Sequence, residues 1–195
     1  VIVDKPITLK LKQTRELIKI AKTKKLLLAE SVVFNYHKVF ETIKKQYKNI
    51  DNIEHVQSVF NIPFKKKPSK LKEISGDCES DMSPYAASII RIFLKSKINN
   101  LNVNKSYFKN SRLVKNFCLM SCSKKTSYFG NFAFGREDSQ KIIFYTKNKV
   151  IYSPDRIFAL PSSKKSKVII KTKNKIKKIQ INKDDCIDNF FKLVF

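Results

Sequence analysis

Four cysteines and two histidines are the side chains of this sequence that could hold a metal or a disulfide framework, and their spacing supports neither. Cys78, Cys118, Cys122 and Cys186 are too few and too scattered for a stapled scaffold. Cys118 and Cys122 share one face of an extended strand but do not form a C-x-x-C pair. Only His37 and His55 are available to complete a zinc shell. The cysteines therefore read as buried free thiols. The other reactive groups are charged. Net charge is +25, and of 41 cationic residues only Arg15, Arg91, Arg112, Arg136 and Arg156 are arginines. Arginine is the residue that forks onto phosphates and guanine edges. The lysines are spread through every segment beside abundant Asn and Ile, the pattern of an A+T-rich coding sequence. No nucleic-acid-binding motif accompanies them.

These groups need a scaffold, and the composition supplies one. With 42% hydrophobic residues and 15 Phe, 195 residues can build a real core. No apolar run approaches the length of a membrane span, and Val1-Ile2-Val3-Asp4 is no signal peptide, so a cytoplasmic setting is expected. Val1–Val3 reads as a short buried strand. Thr8 is placed to cap a helix whose apolar stripe is Leu11, Leu17, Ile18 and Ala21, ending near Lys24-Lys25. Leu26–Glu30 is a second strand, and Val39, Phe40, Ile43 and Tyr47 recur at helical spacing.

Residues 53–64 predict a long strand, closed by Pro63 and the basic loop Lys65-Lys66-Lys67-Pro68. A helix follows from about Pro84 to Lys95, with proline in its first turn. From residue 101 the texture is β-branched and aromatic, with strands expected near 101–109, 114–122, 126–135, 141–152, 167–172 and 175–182. Such a run without helices implies a largely antiparallel sheet. Ile187, Phe190, Phe191 and Val194 give a final helix. The fold class is α/β (α+β): an open, mostly antiparallel sheet with helices on one face. A chain that opens inside a strand and stops early in a helix is expected to be an interior piece of a longer protein.

Val1-Ile2-Val3-Asp4-Lys5-Pro6, a helix, and then Leu27-Leu28-Ala29-Glu30-Ser31 resemble the Gfo/Idh/MocA oxidoreductases, whose hallmark is Glu-Lys-Pro. Three later segments fit in order. They are Phe34-Asn35-Tyr36-His37, the run Gly76 to Tyr85 containing Asp81-x-Ser83-x-Tyr85, and Phe129–Glu137 followed by Arg156–Pro161. The resemblance covers nearly the whole chain. It implies that residues 1–30 are the C-terminal remnant of a dinucleotide-binding Rossmann domain and residues 31–195 a substrate-binding, catalytic α/β domain. The Gly-rich pyrophosphate turn is not in this sequence, because its only glycines are Gly76, Gly130 and Gly135.

The resemblance further implies NAD or NADP as cofactor, hydride transfer to or from a sugar, sugar nucleotide or polyol, and a homo-oligomer formed through the sheet. It places Lys5 at the nicotinamide–substrate junction and Tyr85 as acid/base, with the ammonium expected to favour phenolate. Asp81 binds sugar hydroxyls or caps a turn. Asp4 meets the nicotinamide carboxamide or simply turns the chain, with Pro6 beside it. His37 touches substrate or is structural, and Glu30, if buried, faces the cofactor. Asn35 stands where the family often has Arg, and Asp77, Cys78 and Ser83 where it has Gly, so positive φ there would strain the loop. Two other classes remain as rivals: a basic nucleic-acid-binding module, and an inactive scaffold or dimerisation homologue.

Overall fold

A computed structural model describes residues 1–47, 53–63, 76–93, 100–123, 125–154 and 156–195. The chain opens with strand β1 (Ile2–Asp4), helix α1 (Leu11–Thr23) and strand β2 (Ala29–Ser31), and the two strands pair in parallel. A short 3-10 helix (Val33–Tyr36) and helix α2 (Lys38–Tyr47) follow. The stripe read from the sequence is the buried face of α2: Val39, Phe40, Ile43 and Tyr47. Its spacing leaves no other way to hide four large apolar groups.

Strand β3 (Ile53–Ile62) is the centre of an eight-stranded sheet. After helix α3 (Cys78–Phe93) come β4 (Asn100–Tyr107), β5 (Val114–Cys122), β6 (Ser127–Phe134) and β7 (Ser139–Thr146), and then β8 (Lys149–Tyr152), β9 (Ser166–Lys171), β10 (Ile176–Ile181) and helix α4 (Cys186–Val194). The sheet order is β10-β9-β8-β7-β3-β6-β5-β4, antiparallel except for the β3–β6 pair. Period-2 alternation sends Val56, Phe60, Phe117, Tyr128, Phe132, Ile142, Phe144 and Ile151 to one face, all buried. Helices α2 and α3 lie on that face. Gly130 sits in its middle because a Cβ there would come within 2.7 Å of both the Tyr128 hydroxyl and the Phe132 ring. The open, mostly antiparallel sheet with helices on one face is the expected architecture.

Several expectations about detail are corrected. The segment 141–152 is two strands, since Lys147-Asn148 turns the chain between β7 and β8. Helix α3 begins six residues before Pro84, because Asp77 caps it: its Oδ1 accepts from Ser80 N at 2.8 Å, and Asp81 N donates to Asp77 O. Positive φ occurs at Lys25, Asn110 and Gly135, so Asp77, Cys78 and Ser83 carry no left-handed strain. The Lys65–Pro68 loop lies outside the described residues.

The start of the chain departs most. Thr8 does not cap α1; its hydroxyl donates to Lys10 O and meets Thr14 Oγ1. Leu26 and Leu27 precede β2 and are exposed, and Val1 is 73% exposed rather than buried. Helix α1 has no buried residue at all. Among the described residues, no helix is long and apolar enough to cross a membrane.

Candidate functional site

Lys5 emerges from the end of β1, and Tyr85 projects from the second turn of α3. They meet despite 80 positions of intervening sequence: the Lys5 Nζ lies 4.9 Å from the centre of the Tyr85 ring. The same ammonium is ion-paired to Asp81 Oδ1 and donates to the Asp81 carbonyl at 2.6 Å. Asp81 and Tyr85 are one helical turn apart, so α3 presents a carboxylate and a phenol side by side. The Lys5 side chain is 14% exposed and that of Asp81 40%, which places the pair at the rim rather than in the core.

The turn that delivers Lys5 is held on both sides. Lys5 N donates to Asp4 Oδ1 at 2.8 Å, and Ser31 Oγ reaches the same oxygen. Ile7 N donates to Glu30 Oε1 at 2.8 Å, so Glu30 fastens the segment after Pro6, whose peptide bond with Lys5 is cis. Tyr85 is held through its ring: Phe60 at 5.1 Å, Phe34 at 5.2 Å and Phe158 at 5.6 Å enclose it. Its hydroxyl makes no hydrogen bond among the described residues and is not sealed from solvent.

Burial pushes the Tyr85 phenol up to about 12, and the Asp81 and Asp4 carboxylates and Cys186 add to the shift. The ammonium was expected to favour phenolate. Instead the ammonium lies over the face of the ring, paired with Asp81, and burial together with the nearby carboxylates sets the phenol's pKa. Tyr85 therefore keeps its proton at neutral pH.

His37 is not part of this cluster. It is 2% exposed, its Nδ1 accepts from Val39 N at 3.2 Å, and that nitrogen lies 3.7 Å from Asp184 Oδ2. Asp184 is itself held by Lys38 N and Asn189, so the histidine belongs to the joint between α2 and α4. Burial lowers its pKa more than Asp184 raises it. Asn35 donates to Val32 O and to Ser88 Oγ, and it lines a cavity of about 530 Å³ with Glu30, Ser83, Ser88 and Arg91. Two neighbours of the site escaped the sequence reading. Cys186, at the start of α4, lies near enough to Tyr85 to add to the upward shift of its pKa, and Asp77 joins α3 to β5 by accepting from Val114 N at 3.0 Å. An Asp three residues before Ser80 is a capping signal that could have revealed the second.

The residues present fit only one end of a nicotinamide dinucleotide. Asp4, exposed, and Lys5 and Pro6, partly buried, form a margin at the carboxyl end of a parallel strand, where a flat carboxamide ring could lie. None of the three glycines stands between β1 and α1 to cradle a pyrophosphate.

No protein-family model and no curated protein matches the chain. Solved structures do. KijD10, a 3-ketoreductase from Actinomadura kijaniata in complex with TDP-benzene and NADP, aligns with a TM-score of 0.84 at 18% identity, over 99% of this chain and 60% of its own. Two variants of that protein, one with lysine replaced by alanine and one with tyrosine replaced by phenylalanine, align with TM-scores of 0.83 and 0.84, each at 16% identity over 99% of this chain and 59% and 61% of theirs. The UDP-N-acetylglucosamine 3-dehydrogenase GnnA from Acidithiobacillus ferrooxidans gives 0.79 at 14% identity, over 99% of this chain and 61% of its own. The chain thus spans about 60% of the length of these structures. At such identities the likeness shows the fold alone, an open, mostly antiparallel eight-stranded sheet with helices on one face.

Proposed function

We propose that residues 31–195 form the substrate and catalytic part of a nicotinamide-dependent oxidoreductase of the Gfo/Idh/MocA type, with residues 1–30 the adjoining edge of a dinucleotide-binding domain. The substrate is a sugar, sugar nucleotide or polyol. The reading rests on one observation above all: an ammonium and an unpartnered phenol hydroxyl, from distant segments, share one half-exposed corner. The TDP-benzene and NADP bound by KijD10, the 3-dehydrogenase activity in the name of GnnA, and the lysine and tyrosine replaced in KijD10 variants support the same reading.

A bound NAD or NADP would supply or accept the hydride. Reduction of a carbonyl leaves charge on oxygen that must be met by a cation and then by a proton. Lys5 provides the cation, fixed by Asp81. Tyr85, its pKa raised to about 12 by burial, is suited to donate a proton to that oxygen. Asp81 also has a second carboxylate oxygen for a substrate hydroxyl. Asp4 and Pro6 border the nicotinamide, and Glu30 keeps their turn in place. His37 supports the joint between α2 and α4 behind the substrate side. Two copies associate through the sheet face that no helix among the described residues covers, where Val59, Met120, Phe129, Ile143 and Tyr145 stand partly exposed.

The test supplies the nucleotide-binding half as an amino-terminal fusion and measures NADPH-dependent reduction of keto-sugars. Lys5→Ala and Tyr85→Phe each lower kcat by about a hundredfold or more, the range of a lost electrostatic or proton-transfer contribution. If both variants turn over at the parent rate, the assignment of the site is wrong.

A further inference from the structure

We infer that the hollow between two matching lysine turns, at the end of the sheet remote from Lys5 and Tyr85, docks the phosphate backbone of a nucleic acid. The site is separate from the reacting corner and stands whatever chemistry that corner performs.

Thr-Lys-Asn-Lys occurs twice in the sequence, at 146–149 and at 172–175. The fold makes both copies into hairpin turns, β7–β8 and β9–β10, and closes them alike. The Thr146 hydroxyl donates to Lys149 O and the Thr172 hydroxyl to Lys175 O, each at 3.1 Å. Each turn thus ties its threonine to its own backbone and leaves a Lys-Asn pair at the tip. The strand order β10-β9-β8-β7 sets the two tips two strand spacings apart, about 10 Å. Val150 on β8 pairs with Lys171 on β9 between them. Together the turns bound an open hollow of about 740 Å³. Val114, to which Asp77 ties the start of α3, opens β5 at the opposite end of the sheet. A strand as long as β7 separates those ends by about 25 Å.

The lining decides what the hollow suits. Eight of its nine residues are polar, and the exception is Val150. Lys147, Lys171 and Lys173 are exposed and have no partner among the described residues. Lys149 is held instead, its Nζ donating to Gln46 O near the end of α2. Opposing charge is scarce. Residues 139–183 contain twelve lysines and one carboxylate, Asp155, which lies outside the described residues. Glu54 is exposed at this end of the sheet, but on β3, across β7 from the hollow.

Ammonium groups beside threonine and asparagine in ordered turns are the groups that contact a phosphodiester chain. A protein partner would need apolar area at the centre of its interface, and a membrane surface would need apolar side chains to insert. The hollow offers neither, and Ile176, exposed beside it on β10, is a single side chain. No arginine lines it, so no forked donor is present to read guanine edges. Docking is therefore electrostatic and indifferent to base sequence. A biased composition scatters lysines over the whole surface. It does not by itself set two identical turns around one hollow.

Fluorescence anisotropy on the 195-residue chain follows a labelled single strand of about 20 nucleotides between about 50 and 200 mM salt. Lys147→Gln, Lys171→Gln and Lys173→Gln combined lower the slope of log affinity against log salt by about 2, because each phosphate contact on a single strand contributes about 0.7. Arginine at the same three positions, which keeps the charge, keeps the slope. Lys12→Gln, Lys19→Gln and Lys22→Gln combined remove equal charge from exposed positions on α1 and lower it by less than about 0.5. Oligothymidine and a mixed sequence bind within about threefold of each other. Equal losses from the two lysine triads would reduce the hollow to a share of the general +25 attraction and overturn the inference. A strong preference for one base, or a strand that stays free at the lowest salt, would overturn it too. So would phosphatidylserine vesicles that bind through the same three lysines while the oligonucleotide does not.

Discussion

The inner face of the eight-stranded sheet and the opening β1-α1-β2 segment are built from similar apolar residues, yet only one of them is covered. Over the sheet, α2 and α3 bury Phe40, Ile43, Ile89 and Phe93 to 1% exposure or less. Along α1, Leu11, Leu17, Ile18 and Ile20 are 38–64% exposed, and neighbouring Leu26 and Leu27 exceed 50%. Amphipathic patterning requires a partner surface but does not say where that surface is. The first region contains its partner and is a core. The second contributes a rigid turn carrying Lys5 to the site, held by Asp4 and Glu30 rather than by packing.

If that contrast is real, a substitution in the covered region should cost far more than one in the uncovered region. Phe158 is 4% exposed, stacks on Phe60 at 4.7 Å and meets Phe34 and Tyr85. Phe158→Ala removes the wall behind the phenol, and the expected loss in denaturant unfolding is about 3–5 kcal/mol. In the fusion enzyme it also lowers kcat by loosening Tyr85. A loss below about 1 kcal/mol would mean the aromatic cluster is not the closed core described here.

A smaller effect sharpens the contrast through pH. His37 is buried in its neutral form, with its pKa lowered by desolvation against the opposing pull of Asp184 and with Lys38 helping to lower it. Below the ordinary value of 6.5 the unfolded chain takes up a proton that the folded chain refuses. Stability contributed by this group is therefore complete above that pH and falls as the solution is acidified through it. Asp184, whose pKa is also lowered, adds a separate loss at more acid pH, below its ordinary 3.8. His37→Gln should flatten the unfolding free energy between pH 7 and about 5, measured in urea, while leaving the steeper acid limb. An unchanged slope would show that the α2–α4 joint opens to water.

Sequence patterning disclosed the parts that bury their own stripe. Val39, Phe40, Ile43 and Tyr47 named the core face of α2, and β5 was bounded to the residue, because their periodicity is settled locally. The Lys5–Tyr85 meeting was legible only through family resemblance, since no spacing rule relates a strand end to a helix across a sheet. The protonated state of Tyr85 was not legible even then. It depends on burial against three aromatic rings from distant segments and on the nearby Asp81 and Asp4 carboxylates.

The smallest expected effect is the one that most directly tests the uncovered region. Ile18, 42% exposed in the middle of α1, has no buried neighbour on its own helix. Ile18→Lys deletes apolar area that is largely in water already, and lysine is a somewhat better helix former than isoleucine. Unfolding free energy should therefore move by no more than about 0.5 kcal/mol. Amide exchange along α1 should be fast beside that of α2, since no packing opposes its local opening. The contrary result is specific. If Ile18→Lys costs 2 kcal/mol or more, and the cost grows with protein concentration, a second copy covers the stripe in solution and α1 is part of a core after all. A cost that is large but independent of concentration would place the covering surface within the same chain and reverse the comparison between the two regions.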